Sequence, residues 1–324
     1  MKNTCFLTFI LFFSIKLQAA VISFSNIPVV DQGSFQICNA ITVQQATDYY
    51  LHSQNIKSSN YLSSTLMIAV EYKDTPIRRI LGLETSLDGG KICKTFKKSI
   101  YKHGSCPAEV IDNNFNNYSG QSTLKFDSFK SAFRDLGRIY TKFQQNKKQS
   151  NHIQSDHISI IQTFLMTLKF PQSISEHQIA NALLSRNRVT FLRNLLSPYC
   201  KSQRTFVKKT RCKKKIIYFK NKTGRKRYIK KIKHKLSSQP VMISYCSNFL
   251  FEGKQFNKKP CGYHASLIIG HRLVNQQDEF LIRNSWGTDC SKYHSDWQCT
   301  DGNIWVDADT LIKNTTDYNF LKTK

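Results

Sequence analysis

Asp31-Gln32-Gly33-Ser34-Phe35-Gln36-Ile37-Cys38-Asn39-Ala40 sets one cysteine where a glycine-containing loop gives way to a helical pattern. Apolar residues then recur at Ala40, Ile41, Val43, Ala46, Tyr49 and Tyr50, so a helix is expected over 38–54 with Cys38 on its first turn. Unpaired N–H groups and a partial positive charge at a helix start lower the pKa of a thiol. Two later stretches complete the set: Gly262-Tyr263-His264-Ala265-Ser266-Leu267-Ile268-Ile269-Gly270 and Arg283-Asn284-Ser285-Trp286-Gly287. A thiol, a histidine and an amide to orient it are the parts of nucleophilic acyl transfer.

Each residue has a chemical reading and a bland one. His264 stands just before an apolar strand, so its ring is expected at a sheet edge, facing a cleft as the base for Cys38. Asn284 is placed to accept the second ring N–H, and Trp286 to shield that bond from water. Gln32, six residues before the thiol, is the candidate side-chain donor to an oxyanion, beside the Cys38 backbone N–H. Taken singly, Cys38 reads equally as a structural or bridged cysteine, His264 as a packing histidine and Asn284 as a turn residue. Their order in one chain favours the chemical reading.

Taken together, these segments resemble the papain-like cysteine protease family, as a divergent, bacterial-type member with a large middle insertion. Asp31 to Ala40 is similar to the family's nucleophile segment, and Asp88-Gly89-Gly90 resembles the glycine pair whose backbone binds extended substrate. Gln239-Pro240-Val241 matches the strand entry before the histidine, and Asn284-Ser285-Trp286-Gly287 is the most specific piece. The resemblance implies an α+β, papain-like two-lobe fold, with a helical lobe holding Cys38 and a β-barrel-like lobe holding His264 and Asn284. It implies catalytic roles for Cys38, His264, Asn284 and Gln32, and substrate contacts at Gly89, Gly90 and Trp286. Peptide or protein substrates follow, with no cofactor and no metal. The implied layout is a signal over 1–20, the helical lobe over 21–118, a helical and Lys/Arg-rich insertion over 119–238, and the β-rich lobe over 239–324.

The departures are specific. Phe35 stands where many family members carry a disulfide cysteine, Asn39 replaces an aromatic, and Gln36-Ile37 is bulkier than the usual small pair and is expected to narrow the cleft. No inhibitory propeptide is recognisable between the signal and Gln32, so latency by that route is not expected. Cys38 and His264 are 226 residues apart (264 minus 38), against roughly 130–150 in the family. The surplus must lie in the middle of the chain.

Export is expected from the first twenty residues. Lys2 is followed by an almost wholly apolar run over 6–15 and a small-residue cleavage region, Leu17-Gln18-Ala19-Ala20. That run is short for a membrane span, so the expectation is a cleaved signal and a secreted, periplasmic or extracellular protein; an uncleaved anchor is the alternative. The chain has 10 cysteines, of which Cys5 leaves with the signal. If Cys38 stays free, eight remain, which suits disulfides in an exported protein. Neighbour pairing (93–106, 200–212, 246–261, 290–299) is invited by spacing, although spacing leaves connectivity open. Zinc ligation is the weaker rival, since no C-x-x-C pair occurs.

The net charge is +27, and residues 201–235 hold 17 Lys or Arg with no Asp or Glu. Such a block attracts polyanions in a salt-dependent way, or is simply a solvated surface. An alternative function follows from it: a weakly active or inactive scaffold binding a polyanionic partner or an anionic surface. Further helices are expected at 59–72, 92–102, 124–143, 158–170, 176–184, 190–196 and 225–237, with a linker at 146–155. Strands are expected at 216–220, 241–246, 265–270, 279–283 and 303–306.

Overall fold

The computed structural model describes residues 19–75, 87, 89–116, 127–147, 155–170, 174–207, 209–219, 221–256 and 261–323. Residues 1–18 of the expected signal, Asp88 and most of the expected linker lie outside these residues. Among the described residues no helix is long and apolar enough to cross a membrane.

The architecture is α+β. Helices α1 (Cys38–Ser53), α2 (Thr65–Lys73), α3 (Ile92–Lys98), α4 (Asp127–Lys147), α5 (Ser155–Thr167), α6 (Glu176–Leu183) and α7 (Arg188–Cys200) gather on one side. Strands β1 (Ala20–Val21), β2 (Thr210–Ile216), β3 (Val241–Cys246), β4 (Tyr263–Val274), β5 (Gln277–Arg283), β6 (Gln298–Thr300), β7 (Asn303–Asp307) and β8 (Thr315–Thr323) form one antiparallel sheet. Its order is β2-β8-β3-β4-β5-β7-β6, with β1 paired to β4. Helices α8 (Lys222–Leu236) and α9 (Ala308–Asn314) pack together on the far side of the sheet.

Both faces of the sheet are covered, which explains why its strands read as continuous apolar runs. Side chains alternate across a strand with period two. Met242, Leu267, Ile269 and Leu281 join the core shared with α1 to α7, whereas Val241, Ile243, Ile268, Phe280 and Ile282 join a second core under α8 and α9. Helix α1 lies between the sheet and the other helices and is buried on nearly every side. One face of α4 packs into the core: Ala132, Leu136, Tyr140 and Phe143 are all buried.

Two of the four expected cysteine pairs are corrected. The bridges are Cys93–Cys212 and Cys106–Cys200, together with the expected Cys246–Cys261 and Cys290–Cys299. Neighbour pairing fails for the first four cysteines because later segments fold back onto α2 and α3. Arg204 reaches buried Glu71 at 2.6 Å and also donates to the carbonyls of His103 and Gly104. Arg193 lies 3.3 Å from Asp74, which also accepts from the Thr190 hydroxyl. The same folding back corrects the strand expected at 216–220: the ladder runs over Thr210–Ile216, paired along its length with β8.

Candidate active site

Cys38 opens α1 and is the free cysteine among the described residues. The loop before it is held from both ends. Gln32 N–H donates to the Ser285 carbonyl at 2.8 Å, and Gly287 N–H donates to the Val30 carbonyl at 3.2 Å. These bonds splice the loop before Cys38 to the segment carrying Asn284. Gly287 has φ of 76°, and a Cβ there would lie 3.0 Å from the Asp31 carboxylate, so the splice needs glycine. The Gln32 side chain is buried, and its Oε1 accepts from the Ser285 hydroxyl at 2.7 Å.

The bulk expected to narrow the cleft goes elsewhere. Ile37 is fully buried in the core and Gln36 is exposed; neither lines the cleft. Phe35 is buried too, its ring 6.5 Å from Phe133, so apolar packing occupies this position. Asn39 is buried and donates to the Thr95 hydroxyl at 2.7 Å, tying α1 to α3. This explains Gly90, where a Cβ would fall 2.1 Å from Asn39 Nδ2.

His264 begins β4 and lies opposite Tyr245 of β3, the two rings edge to face at 5.7 Å. His264 is buried, and its Nε2 lies 2.7 Å from Asn284 Oδ1. The orientation of the Asn284 amide is fixed by its other partners. Oδ1 accepts from Ser285 N–H at 2.8 Å and from the Ser266 hydroxyl at 3.2 Å, while Nδ2 donates to the Tyr293 hydroxyl at 3.1 Å. An amide oxygen only accepts, so His264 Nε2 carries the proton and Nδ1 is the basic nitrogen. Trp286 stacks on this ring at 4.5 Å and on Phe251 at 5.1 Å.

Cys38, His264, Gly89 and Gly90 line one cleft of about 380 Å³. Ala265, the residue after His264, lines the same cleft. Burial pushes the thiol above its usual range, while the amides of Ala265 and Asn39 pull it down. Burial pushes His264 down to about 4, against the Asn284 bond. Both shifts oppose charge separation between the two groups.

Gln32 and Trp286 do not line this cleft; they brace it through Ser285 and His264. Sequence reading missed Ser266, Tyr293 and Tyr245. Ser266 was within reach of it, because residues two apart on a strand share a face with His264. Tyr293 carried no spacing signal: it is delivered by the loop that the Cys290–Cys299 bridge closes.

No family model matches the chain, and no curated protein matches it. Among solved structures it is similar to xylellain, a cysteine protease from Xylella fastidiosa, at 15% identity and a TM-score of 0.49, over 95% of this chain and 87% of that one. Digestive procathepsin L 3 of Tenebrio molitor gives 13% identity and a TM-score of 0.45, over 95% and 71% of the two chains. Bromelain from Ananas comosus gives 13% and 0.43, over 94% and 95%. At these identities and scores, the role of the site rests on its own side chains.

Proposed function

We propose that this protein is a cysteine-type endopeptidase that hydrolyses peptide bonds through a thioester acyl-enzyme. One observation carries the reading: the free thiol at the start of α1 shares a cleft with a histidine whose Nε2–H is held by Asn284. That leaves Nδ1 to take the thiol proton as Cys38 Sγ attacks the peptide carbonyl. The oxyanion then accepts from the Cys38 backbone N–H, while Gln32, whose oxygen the Ser285 hydroxyl engages, holds the loop that presents it. Protonated His264 next gives its proton to the departing amine. Water, deprotonated by the same nitrogen, attacks the thioester, and the acid product leaves as the thiol regains its proton. Gly89 and Gly90 offer backbone to an extended substrate along one wall of the cleft.

Four disulfides suit an oxidising compartment, and export is part of the proposal. The basic block of 201–235 is partly engaged within the fold: Arg204 bonds Glu71, Arg225 bonds Asp309 and Lys233 bonds Asp278. The test is Cys38→Ala, which should abolish both peptide hydrolysis and labelling by an epoxide thiol inhibitor. Full hydrolysis by that variant would remove Cys38 from the mechanism.

A further inference from the structure

The cleft around Cys38 is strongly basic on the side of the glycine pair. Lys91 and Lys94 stand exposed on one rim and Lys214 on the other. Among the described residues the one carboxylate lining it, Asp317, is already engaged. It faces Lys214 Nζ at 3.2 Å and accepts from Asn319 Nδ2 at 2.7 Å and the Ser244 hydroxyl at 3.2 Å. A second cavity of about 530 Å³ adjoins the first and shares Cys93 and Lys94 with it. Its remaining walls are Phe96, Lys97, Tyr101, Arg211 and Cys212, with no acidic side chain among them.

Cations on an edge strand such as β2 guard the sheet edge against pairing, which accounts for Lys213 and Lys215. That does not account for Lys94 and Lys97, which belong to a helix. The Cys93–Cys212 bridge draws this helix and the strand together, so that Lys94, Lys97 and Arg211 surround one cavity. The two cavities share Cys93 and Lys94, so a peptide lying along Gly89 and Gly90 passes close to Lys94.

We propose that this adjoining pocket is a specificity site for an acidic side chain of the peptide substrate, on the glycine-pair side of the scissile bond. Lys94, common to both cavities, is the principal contact, with Lys97 and Arg211 behind it. The proposal rests on the peptidase reading above and deepens it. An acidic peptide is favoured over an acidic glycan because Lys94 lines both this pocket and the cleft that holds the thiol.

The test uses the full chain and peptide pairs that differ only in Glu against Gln, placed at each position flanking the cleaved bond. At one position the kcat/KM ratio of Glu to Gln should be on the order of fivefold to tenfold at low salt, shrinking at high salt. Lys94→Glu combined with Lys97→Glu should turn the preference toward Lys at that position, which a merely damaged fold would not do. A ratio near one at every position, or a Glu preference that survives both reversals, overturns the proposal. Anisotropy of labelled peptides on Cys38→Ala reads the pocket without catalysis. A Glu preference there, with no cleavage by the unmodified protein, would support the pocket and sink the peptidase reading. Cleavage without any Glu preference would sink only the pocket. A sulfated glycan bound through Lys94 and Lys97, with the peptide ratio at one, would assign the pocket to a glycan and also overturn the proposal.

Discussion

Replacing Asn284 by alanine removes one oxygen on which three donors converge: His264 Nε2–H, Ser285 N–H and the Ser266 hydroxyl. Asn284 is fully buried, so water does not readily substitute. A lost bond to a buried group costs about 1–3 kcal/mol, and the bond to the ring also holds the tautomer that leaves Nδ1 basic. Losing the tautomer preference and the ring orientation together should lower kcat/KM by about 10²-fold, with a smaller change in KM. Initial rates on a fluorogenic peptide measure this, and the rate of epoxide labelling reports on the thiol apart from peptide binding. Asn284→Asp separates positioning from packing. A carboxylate beside the ring should raise the His264 pKa from about 4, moving the acid limb of the pH–rate profile upward. An alanine variant within twofold of the unmodified protein, with an unmoved acid limb in the aspartate variant, would refute the assigned role of Asn284.

In the unmodified protein the acid limb should lie near pH 4, because burial lowers His264 to about that value, and the alkaline limb should lie above the usual thiol range, because burial raises Cys38. A limb near pH 6.5 in kcat/KM would contradict this. Stability should be greater at pH 5 than at pH 7.5 by on the order of a few kcal/mol. Asp48, Asp112 and Glu71 are each pushed to about 7 by burial, so their contribution is present below the ordinary carboxylate range and lost as pH rises through 7. His264 acts in the opposite sense, its contribution being lost as pH falls from 6.5 toward 4, but it is one group against three. Thermal melts across that range, rising rather than falling with pH, would oppose the assignment. Cys106→Ala with Cys200→Ala opens a bridge spanning 94 residues and should cost about 2–5 kcal/mol, read as a lower denaturation midpoint.

What could be read from the sequence was whatever local spacing specifies. Helix α1 was expected from its apolar steps after Cys38, and β3, β4, β5 and β7 from compact apolar runs. Cys38, His264 and Asn284 were readable because each sits in a short motif with its own chemistry. Helix α9 and strand β8 went unread. Strand β8, Thr-Thr-Asp-Tyr-Asn-Phe-Leu-Lys-Thr, mixes polar and apolar residues without a clean alternation. It is a strand because β2 and β3 flank it, a tertiary cause that outweighs its weak propensity.

The pairing of the middle of the chain is the deeper reason that spacing fell short. Cys200 follows Cys106 by 94 residues and Cys212 follows Cys93 by 119, yet both later cysteines lie against the helices around α1. Nothing local to Arg204 announces that its partner is Glu71, and nothing local to β2 announces β8. These contacts are nevertheless what bring Lys214 to the cleft with Gly90 and Arg211 to the adjoining cavity with Lys94. The side chains proposed as catalytic therefore follow from short motifs, whereas the walls that would choose the substrate come from long-range closure. A motif alone names the chemistry; the basic wall that would select a peptide becomes visible only when distant segments meet.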